Sequence, residues 1–213
     1  GNQKMNSDNS DHIVEEAVDD NNSNSRFSKK SYWDERFAEE QKYDWLMEFQ
    51  HVENDLVPLL KKDDKILIVG CGNSTFSRSI YEAGFKNIVN IDYSGVVIEN
   101  MRAANSDCEG MTWVEMDMTQ LTFEPGSFDV VLDKAAMDAL VVDEGDVWDP
   151  EPSVIETVHR MCESVKQVLT PTGRHVQISF AQSHFRTKYL MGYRHTGVTV
   201  SPYDSHRGYS EVY

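Results

Sequence analysis

The sequence predicts an α/β fold, a mostly parallel sheet with helices on both faces. Three observations carry that prediction. From Lys65 to Phe180, apolar runs that read as strands alternate with helical patterns, and this alternation gives a parallel sheet covered on both sides. The first unit, Lys65 to Asp92, places a Gly70-Cys71-Gly72 turn between strand and helix and closes its second strand on an acid, the pattern of a nucleotide-binding half-unit. The chain has 213 residues, enough for one domain with a real core.

Residues 1 to 25 are rich in Asn, Ser and Asp and hold one Lys against six acids. Such a composition buries too little apolar surface to order a chain, so a disordered acidic tail is expected, with room for a short helical turn over His12 to Val18. The domain proper is expected over residues 26 to 213, as an N-terminal helical lid (26 to 62) and a sheet-and-helix core (63 to 213). Tyr32-Trp33-Asp34-Glu35-Arg36-Phe37 is aromatic and charged, with Ser31 as N-cap and Asp34 in the first turn. From Asp44, the spacing of Trp45, Phe49, Val52, Leu56, Leu59 and Leu60 predicts a second helix, its last turn distorted by Pro58. The aromatic cluster reads either as a packing face against the sheet or as a cover over a ligand. Rings offer stacking surface and cation–π faces, and the cover is favoured.

In the unit that follows, Lys65 to Val69 is the first strand. The glycines of Gly70-Cys71-Gly72-Asn73-Ser74 let the backbone approach a ligand, and the helix behind them offers unpaired N–H groups. That helix is expected over Thr75 to Ala83, burying Phe76 and Ile80, with Gly84 at the C′ position. The second strand, Asn87 to Ile91, is closed by Asp92, 22 positions after Gly70. This is near the roughly 20 residues expected of a carboxylate that accepts from ribose hydroxyls. Tyr93-Ser94 opens a helix with Val96, Val97, Met101 and Ala104 on one face. Thr112 to Met116 is a third strand, ending on Asp117-Met118, and Glu124-Pro125-Gly126-Ser127 is a turn. Phe128 to Leu132 is nearly all apolar, like a strand buried on both faces. Asp133-Lys134 stands at its carboxyl end, before a short helix over Ala135 to Val141.

From Ala135 to His159 there is no Lys or Arg, while Asp138, Asp143, Glu144, Asp146, Asp149, Glu151 and Glu156 fall in the same stretch. Gly145, Pro150 and Pro152 make its middle a loop. A helix over Ser153 to Leu169 has Ile155, Val158, Met161, Val165, Val168 and Leu169 on its face, and Thr170-Pro171-Thr172-Gly173 turns into a fifth strand, Arg174 to Phe180. Ser183 to Tyr213 reads as loop plus hairpin, Gly197 to Val200 pairing with Tyr209 to Tyr213. This C-terminal antiparallel hairpin is expected to be incomplete.

Thirty-six acids against 20 bases give a formal charge of −16. That disfavours nucleic acid and favours a basic partner, or serves solubility alone. Three cysteines make no complete disulfide set, no signal peptide is read, and no run approaches the ~20 apolar residues of a membrane span. A cytoplasmic monomer without membrane attachment is expected.

Ligands of such sheets sit outside the strands' carboxyl ends, at the switch point. Those loops carry Gly70, Gly72, Asp92, Tyr93, Asp117, Met118, Asp133 and Lys134. A pyrophosphate cradle wants a third glycine where Thr75 stands. Three acids at three successive strand ends repel phosphate and suit a phosphate-free, cationic ligand, S-adenosylmethionine. With these residues in hand, the sequence resembles the class I, seven-stranded S-adenosylmethionine-dependent methyltransferases of Rossmann-like fold, from about Ser31 to Phe180. Ile68-Val69-Gly70-Cys71-Gly72-Asn73-Ser74 looks like their first motif and Asp92 like the acid closing the second. Tyr32 to Phe37, Tyr43-Asp44-Trp45, Asp92-Tyr93-Ser94, Leu132-Asp133-Lys134 with Asp138-Ala139-Leu140, and His184-Phe185-Arg186-Thr187 resemble more narrowly the eukaryotic lysine methyltransferases of translation elongation factor 1-alpha, in the branch encoded beside endothelin-converting enzyme 2.

The resemblance implies roles. Gly70 and Gly72 would pass under the methionine part of the cofactor, and Asn73 would belong to the cofactor-binding set with them. Asp92 would take the ribose hydroxyls, with Tyr93 beside the adenine. Asp117 would accept from the adenine amine, and the Met118 backbone would meet the ring. Trp33, Phe37 and Tyr43 would close over the cofactor, ordering when it binds. Asp133 would sit beside the sulfonium and amino-acid end, one methylene shorter than the Glu that many relatives carry there. Asp133 and Lys134 are the candidate catalytic residues, and the implied substrate is a lysine of a basic protein such as elongation factor 1-alpha.

Other readings stand beside these. Cys71, without a base nearby in sequence, reads as a small buried residue rather than a nucleophile. The seven histidines show no metal-ligand spacing. Lys134 reads either as a base or as an ion-pair partner of Asp133, and Asp117 could serve as a turn cap. The acidic stretch Asp143 to Glu151 reads as a docking surface for a basic protein. The alternatives to a protein-lysine methyltransferase are a small-molecule N- or O-methyltransferase and an inactive, cofactor-binding regulatory scaffold.

Overall fold

The structure, a computed structural model, describes residues 24–190, 201–202 and 211–212. The expected acidic tail up to residue 23, with its possible turn at His12 to Val18, lies outside the described residues. Five parallel strands form the sheet's body in the spatial order β3 (Met111–Glu115), β2 (Ile88–Asp92), β1 (Ile66–Val69), β4 (Phe128–Lys134) and β7 (Leu169–Ser179). The order reverses between β1 and β4, which puts a crevice at their carboxyl ends. Beyond β7, the two-residue strands β9 (Glu211–Val212) and β8 (Ser201–Pro202) add antiparallel pairs. Ser201–Pro202 pairs with Glu211–Val212, and the expected arm Gly197 to Val200 lies outside the described residues. No helix among the described residues is long and apolar enough to cross a membrane.

Strand β1 is apolar throughout because both of its faces are covered. Ile66 and Ile68 belong to one packed layer, with Leu56, Phe76, Ile80, Val97 and Ile98. Leu67 and Val69 belong to the other, with Val131, Val158, Met161 and Val165. The first layer is supplied by α1 (Lys30–Glu39), α2 (Glu53–Leu56), α3 (Phe76–Glu82) and α4 (Gly95–Ala104), and the second by α5 (Ala136–Leu140), α6 (Pro152–Val168) and α7 (Ser183–Leu190). Gly84, at φ +99°, ends α3 where a left-handed residue is needed, and its N–H donates to Tyr81 at 3.0 Å. On α4 the inward face is Val97, Ile98 and Met101, whereas Val96 is exposed.

Several expectations need correction. Helix α1 starts at Lys30, and its N-cap is Lys29 rather than Ser31, with no side-chain cap. The helix expected from Asp44 is broken into a 3-10 turn at Phe49–His51, α2, and a second 3-10 turn at Val57–Leu59. Leu46 takes a positive φ of 67° and Glu48 an extended backbone, while Pro58 has no N–H to donate, so no continuous ladder forms. The Thr170 to Gly173 turn survives as an irregularity inside β7: Phe128 pairs with Leu169, but Val130 pairs with Arg174. The acidic middle at 145–150 is a small hairpin, β5 (Gly145–Asp146) against β6 (Asp149–Pro150), and Ser183 to Leu190 is a helix rather than a loop.

One close approach locks the crevice. Gly70 has φ +58°, and a Cβ built on it would fall 2.5 Å from the Cβ of Ala136. The turn after β1 and the start of α5 therefore meet with no room for a side chain.

Candidate active site

The site grows from the two turns that follow β1 and β2. Gly70 and Gly72 both have left-handed φ, +58° and +52°, so the turn doubles back and aims its N–H groups at the end of β2. Gly72 N–H donates to Asp92 Oδ2 at 3.0 Å, and Ser94 N–H donates to Asp92 Oδ1 at 3.0 Å. One buried carboxylate thus organises both loops. Burial pushes the Asp92 carboxyl up to about 6, against the pull of the two N–H donors. The adjoining Tyr93 hydroxyl is pushed up by burial and by Asp92.

These loops open onto a cavity of about 1040 Å³. Of the residues singled out in the sequence, Trp33, Tyr43, Gly70, Gly72, Asn73, Asp92, Tyr93, Asp117, Met118 and Lys134 all line it. Asp117 faces the cavity while its Oδ1 accepts the Thr119 N–H at 2.8 Å, so it caps a turn as well. Phe37 is not in the cavity wall. Its ring would lie 3.6 Å from a Cβ at Gly72, and it stacks on Trp33 at 5.5 Å and 27°, backing the turn from behind.

Asp133 is also absent from the wall. Its carboxylate turns inward and accepts from Ala136 N–H at 2.8 Å, Met137 N–H at 3.2 Å and Gln177 Nε2 at 3.0 Å. Its oxygens take the first two N–H groups of α5 from inside the fold. Ala135, at a φ of +66°, folds the chain back over the strand end. Burial, with Asp138 nearby, raises the Asp133 carboxyl to about 7.

Lys134 pairs not with Asp133 but with Asp44. Its Nζ lies 3.7 Å from Asp44 Oδ1, donates to the Trp45 carbonyl at 2.8 Å and sits 5.3 Å from the Phe76 ring centroid. Burial lowers its pKa to about 8, with Asp44 opposing the shift. Asp44 itself takes the N-terminal end of α3. It accepts from the Ser74 hydroxyl, from Thr75 Oγ1 at 2.7 Å and from Thr75 N–H at 3.4 Å. Burial works against its charge, but these donors and Lys134 hold its carboxyl below the ordinary range. A carboxylate beside the turn that leads into α3 disfavours a phosphate group there. Nothing in the spacing of the sequence signals this contact, because 30 residues separate Asp44 from Ser74.

The N-terminal segment covers one side. Trp33 Nε1 donates to the Phe27 carbonyl at 2.8 Å, Phe27 meets Trp45 edge-on at 5.5 Å, and the Arg36 guanidinium lies over Tyr43 and Trp45 at 4.8 and 4.9 Å. Asn73 Nδ2 ties this segment to the glycine turn through the Glu40 carbonyl at 2.9 Å. The opposite side is held by a buried network. Arg186 donates through Nε and Nη2 to Asp138 Oδ1 at 3.0 and 2.7 Å, Ser179 Oγ donates to the same oxygen at 2.6 Å, and the Tyr189 hydroxyl donates to Glu144 at 2.5 Å. Two acids of the cation-free stretch, Asp138 and Glu144, are thereby used internally and are not free for docking. Arg186 and Tyr189 went unread as anchors because their partners lie 48 and 45 residues away.

Residues 67–177 match the family described as "Methyltransferase domain". The chain is similar to "EEF1A lysine methyltransferase 4" of Bos taurus, at 38% identity over 78% of this chain and 66% of that protein. It is also similar to the protein of the same name from Mus musculus, at 35% identity over 81% of this chain and 71% of that protein. Among solved structures, the N-methyltransferase NodS from Bradyrhizobium japonicum shares the fold, with a TM-score of 0.55 at 16% identity, over 76% of this chain and 91% of that one.

Proposed function

The chain belongs to the methyltransferase-domain family, and from that premise we propose that it transfers a methyl group from S-adenosylmethionine to a lysine side chain of a basic protein, elongation factor 1-alpha, the EEF1A of its relatives' names. The observation that carries this reading is the cavity end bounded by Asp92 and Asp117, next to the turn into α3 where Asp44 accepts from Thr75. Such a site has acceptors for hydroxyls and an amine, and its carboxylates repel phosphate, which fits a nucleoside cofactor with a cationic rather than a phosphorylated end.

S-adenosylmethionine supplies an electrophilic methyl group on a positively charged sulfur. The chain's own part is alignment, exclusion of water and handling of the acceptor's proton. Asp92, already fixed by two backbone donors, presents its remaining acceptor capacity to the ribose hydroxyls. Asp117 faces the adenine amine, and the left-handed Gly70 and Gly72 allow the main chain to lie against the cofactor. Trp33 and Tyr43 form a cover, and Lys134 holds residues 44–47 of that cover against the sheet. Leu140, Val141 and Phe185 give the rest of the cavity an apolar stretch of wall, beside Asp138, Glu144, Arg160 and Arg186. The apolar stretch disfavours the charged form of an incoming lysine, whose free pKa is about 10.4, and so promotes the neutral amine that attacks. The proposed setting is the cytoplasm, in keeping with three cysteines that are all free and buried.

The test is incubation of purified elongation factor 1-alpha with tritiated S-adenosylmethionine and the protein. Label on a lysine of the factor with the native chain, and none with Asp92→Ala, is the expected result. A native protein that binds the cofactor yet labels no lysine would overturn the reading.

A further inference from the structure

The hairpin β5–β6 carries a feature that the cofactor site does not use. Trp148, at its tip, is 77% exposed. It is held on one side by α7, with His184 stacked at 6.1 Å and 22° and Phe185 edge-on at 5.3 Å. The rest of the indole faces outward. Around it stand Asp146, Asp149 and Glu151, all exposed, and no cation among the described residues neutralises any of the three. The other acids nearby are engaged: Glu144 with Tyr189, Asp138 with Arg186, and Asp143 with the Ser28 hydroxyl at 2.9 Å. The hairpin is continuous with the cavity, because Gly145, Val147 and Phe185 line its wall.

An outward indole and three carboxylates that meet no cation among the described residues, with Asp146 accepting only from the Trp148 N–H at 2.9 Å, are served together by one class of side chain. A Lys or Arg lays its aliphatic stem and its cation on the ring face while its charge meets the acids. A second copy of this chain is a poor occupant, since it would bring another −16 charge to an acidic surface, and nucleic acid is poor for the same reason. We infer that the Trp148 hairpin is the docking surface for the basic protein substrate, gripping Lys or Arg side chains beside the acceptor lysine as that lysine enters the cavity. This deepens the proposed function and rests on it for the identity of the substrate, but not for the chemistry of the surface.

Two variants test it, Trp148→Ala and the combined Asp146→Asn, Asp149→Asn, Glu151→Gln. Both change exposed positions, and their melting temperatures are checked against the native chain. Binding of labelled elongation factor 1-alpha and of poly-lysine is measured at several salt concentrations, with KM and kcat for methyl transfer and Kd for S-adenosylhomocysteine alongside. Each variant is expected to weaken binding and raise KM by about tenfold or more, with kcat and cofactor affinity unchanged and, for the acid variant, a flatter salt dependence. If the factor is never methylated but poly-lysine binding depends on Trp148, the methyl-transfer reading fails and the docking surface stands. Equal binding by native and variant chains, no binding of either probe by the native chain, or a Trp148 effect confined to self-association would overturn it.

Discussion

Lys134 Nζ lies 3.7 Å from Asp44 Oδ1 and donates to the carbonyl oxygen of Trp45 at 2.8 Å. A single buried cation at the end of β4 thus fastens the N-terminal cover to the sheet, while the acid it meets closes the N-terminus of α3. Replacing Lys134 by Met leaves Asp44 without its cation and takes the donor from the carbonyls of Trp45 and Met47. Breaking a buried pair from one side costs about 3–5 kcal/mol. The expected outcome is a large loss of stability in denaturant titration, with faster proteolysis within residues 30–47. A variant melting like the native protein would show that the pair does not fasten the cover.

Asp92 ties cofactor binding to pH. Its folded carboxyl sits at about 6, against 3.8 when free. The folded state therefore holds this proton more tightly than the unfolded chain. The resulting stabilisation is fully present below about pH 3.8 and is lost as pH rises through 6. Ribose hydroxyls donate to the ionised form, so cofactor affinity falls as pH drops below about 6, by up to about tenfold per unit. Calorimetric titration between pH 5 and 8 checks this, and Asp92→Asn is expected to bind about 10- to 100-fold more weakly with no pH dependence over that range.

Ala135 holds φ +66°, a conformation in which a side chain is strained. Ala135→Gly should be neutral or stabilising by up to about 1 kcal/mol, and Ala135→Val destabilising by about 1–3 kcal/mol. Thermal melts of the two variants provide the comparison, and a native-like Val variant would contradict the strain argument.

Arg186 and Asp138 are both nearly inaccessible, at 3% and 4% side-chain exposure. Arg186→Met should leave Asp138 buried and uncompensated and release α7. Because Nε and Nη2 converge on one oxygen, Arg186→Lys is expected to recover less than half of the loss. Hydrogen exchange over residues 183–190 reads the release directly, and unchanged protection in Arg186→Met would count against it.

The cover should respond to ligand. S-adenosylhomocysteine is expected to protect Ser31 to Tyr43 from protease, and Trp33→Ala to abolish that protection. Equal cleavage with and without ligand would argue that the segment plays no part in binding.

The parallel strands were legible because strands covered on both faces must be apolar throughout, and Ile66 to Val69 and Val130 to Leu132 are. The glycine turn and the strand-end acids were legible because Gly70, Gly72 and Asp92 answer local needs, a left-handed backbone and an acceptor for it. What stayed hidden depends on partners distant in sequence. Asp133 looks from the sequence like a site acid, and no local pattern shows that its carboxylate accepts from Ala136, Met137 and Gln177. Asp44, Glu144 and Arg186 carry no local pattern that names their partners. The helix at Ser183 to Leu190 lacks an apolar stripe and is held by Arg186 and Tyr189.

The meeting of Gly70 with Ala136 has a consequence for anyone wishing to redirect this protein. Neither position offers slack: the first cannot gain an atom, and shrinking the second would leave the first still confined to a left-handed backbone. The two loops they join form a fixed hinge pin of the binding crevice, closed to substitution from either side. New specificity would have to be written farther out, on the β5–β6 hairpin and α7, where side chains can change without moving the strand ends.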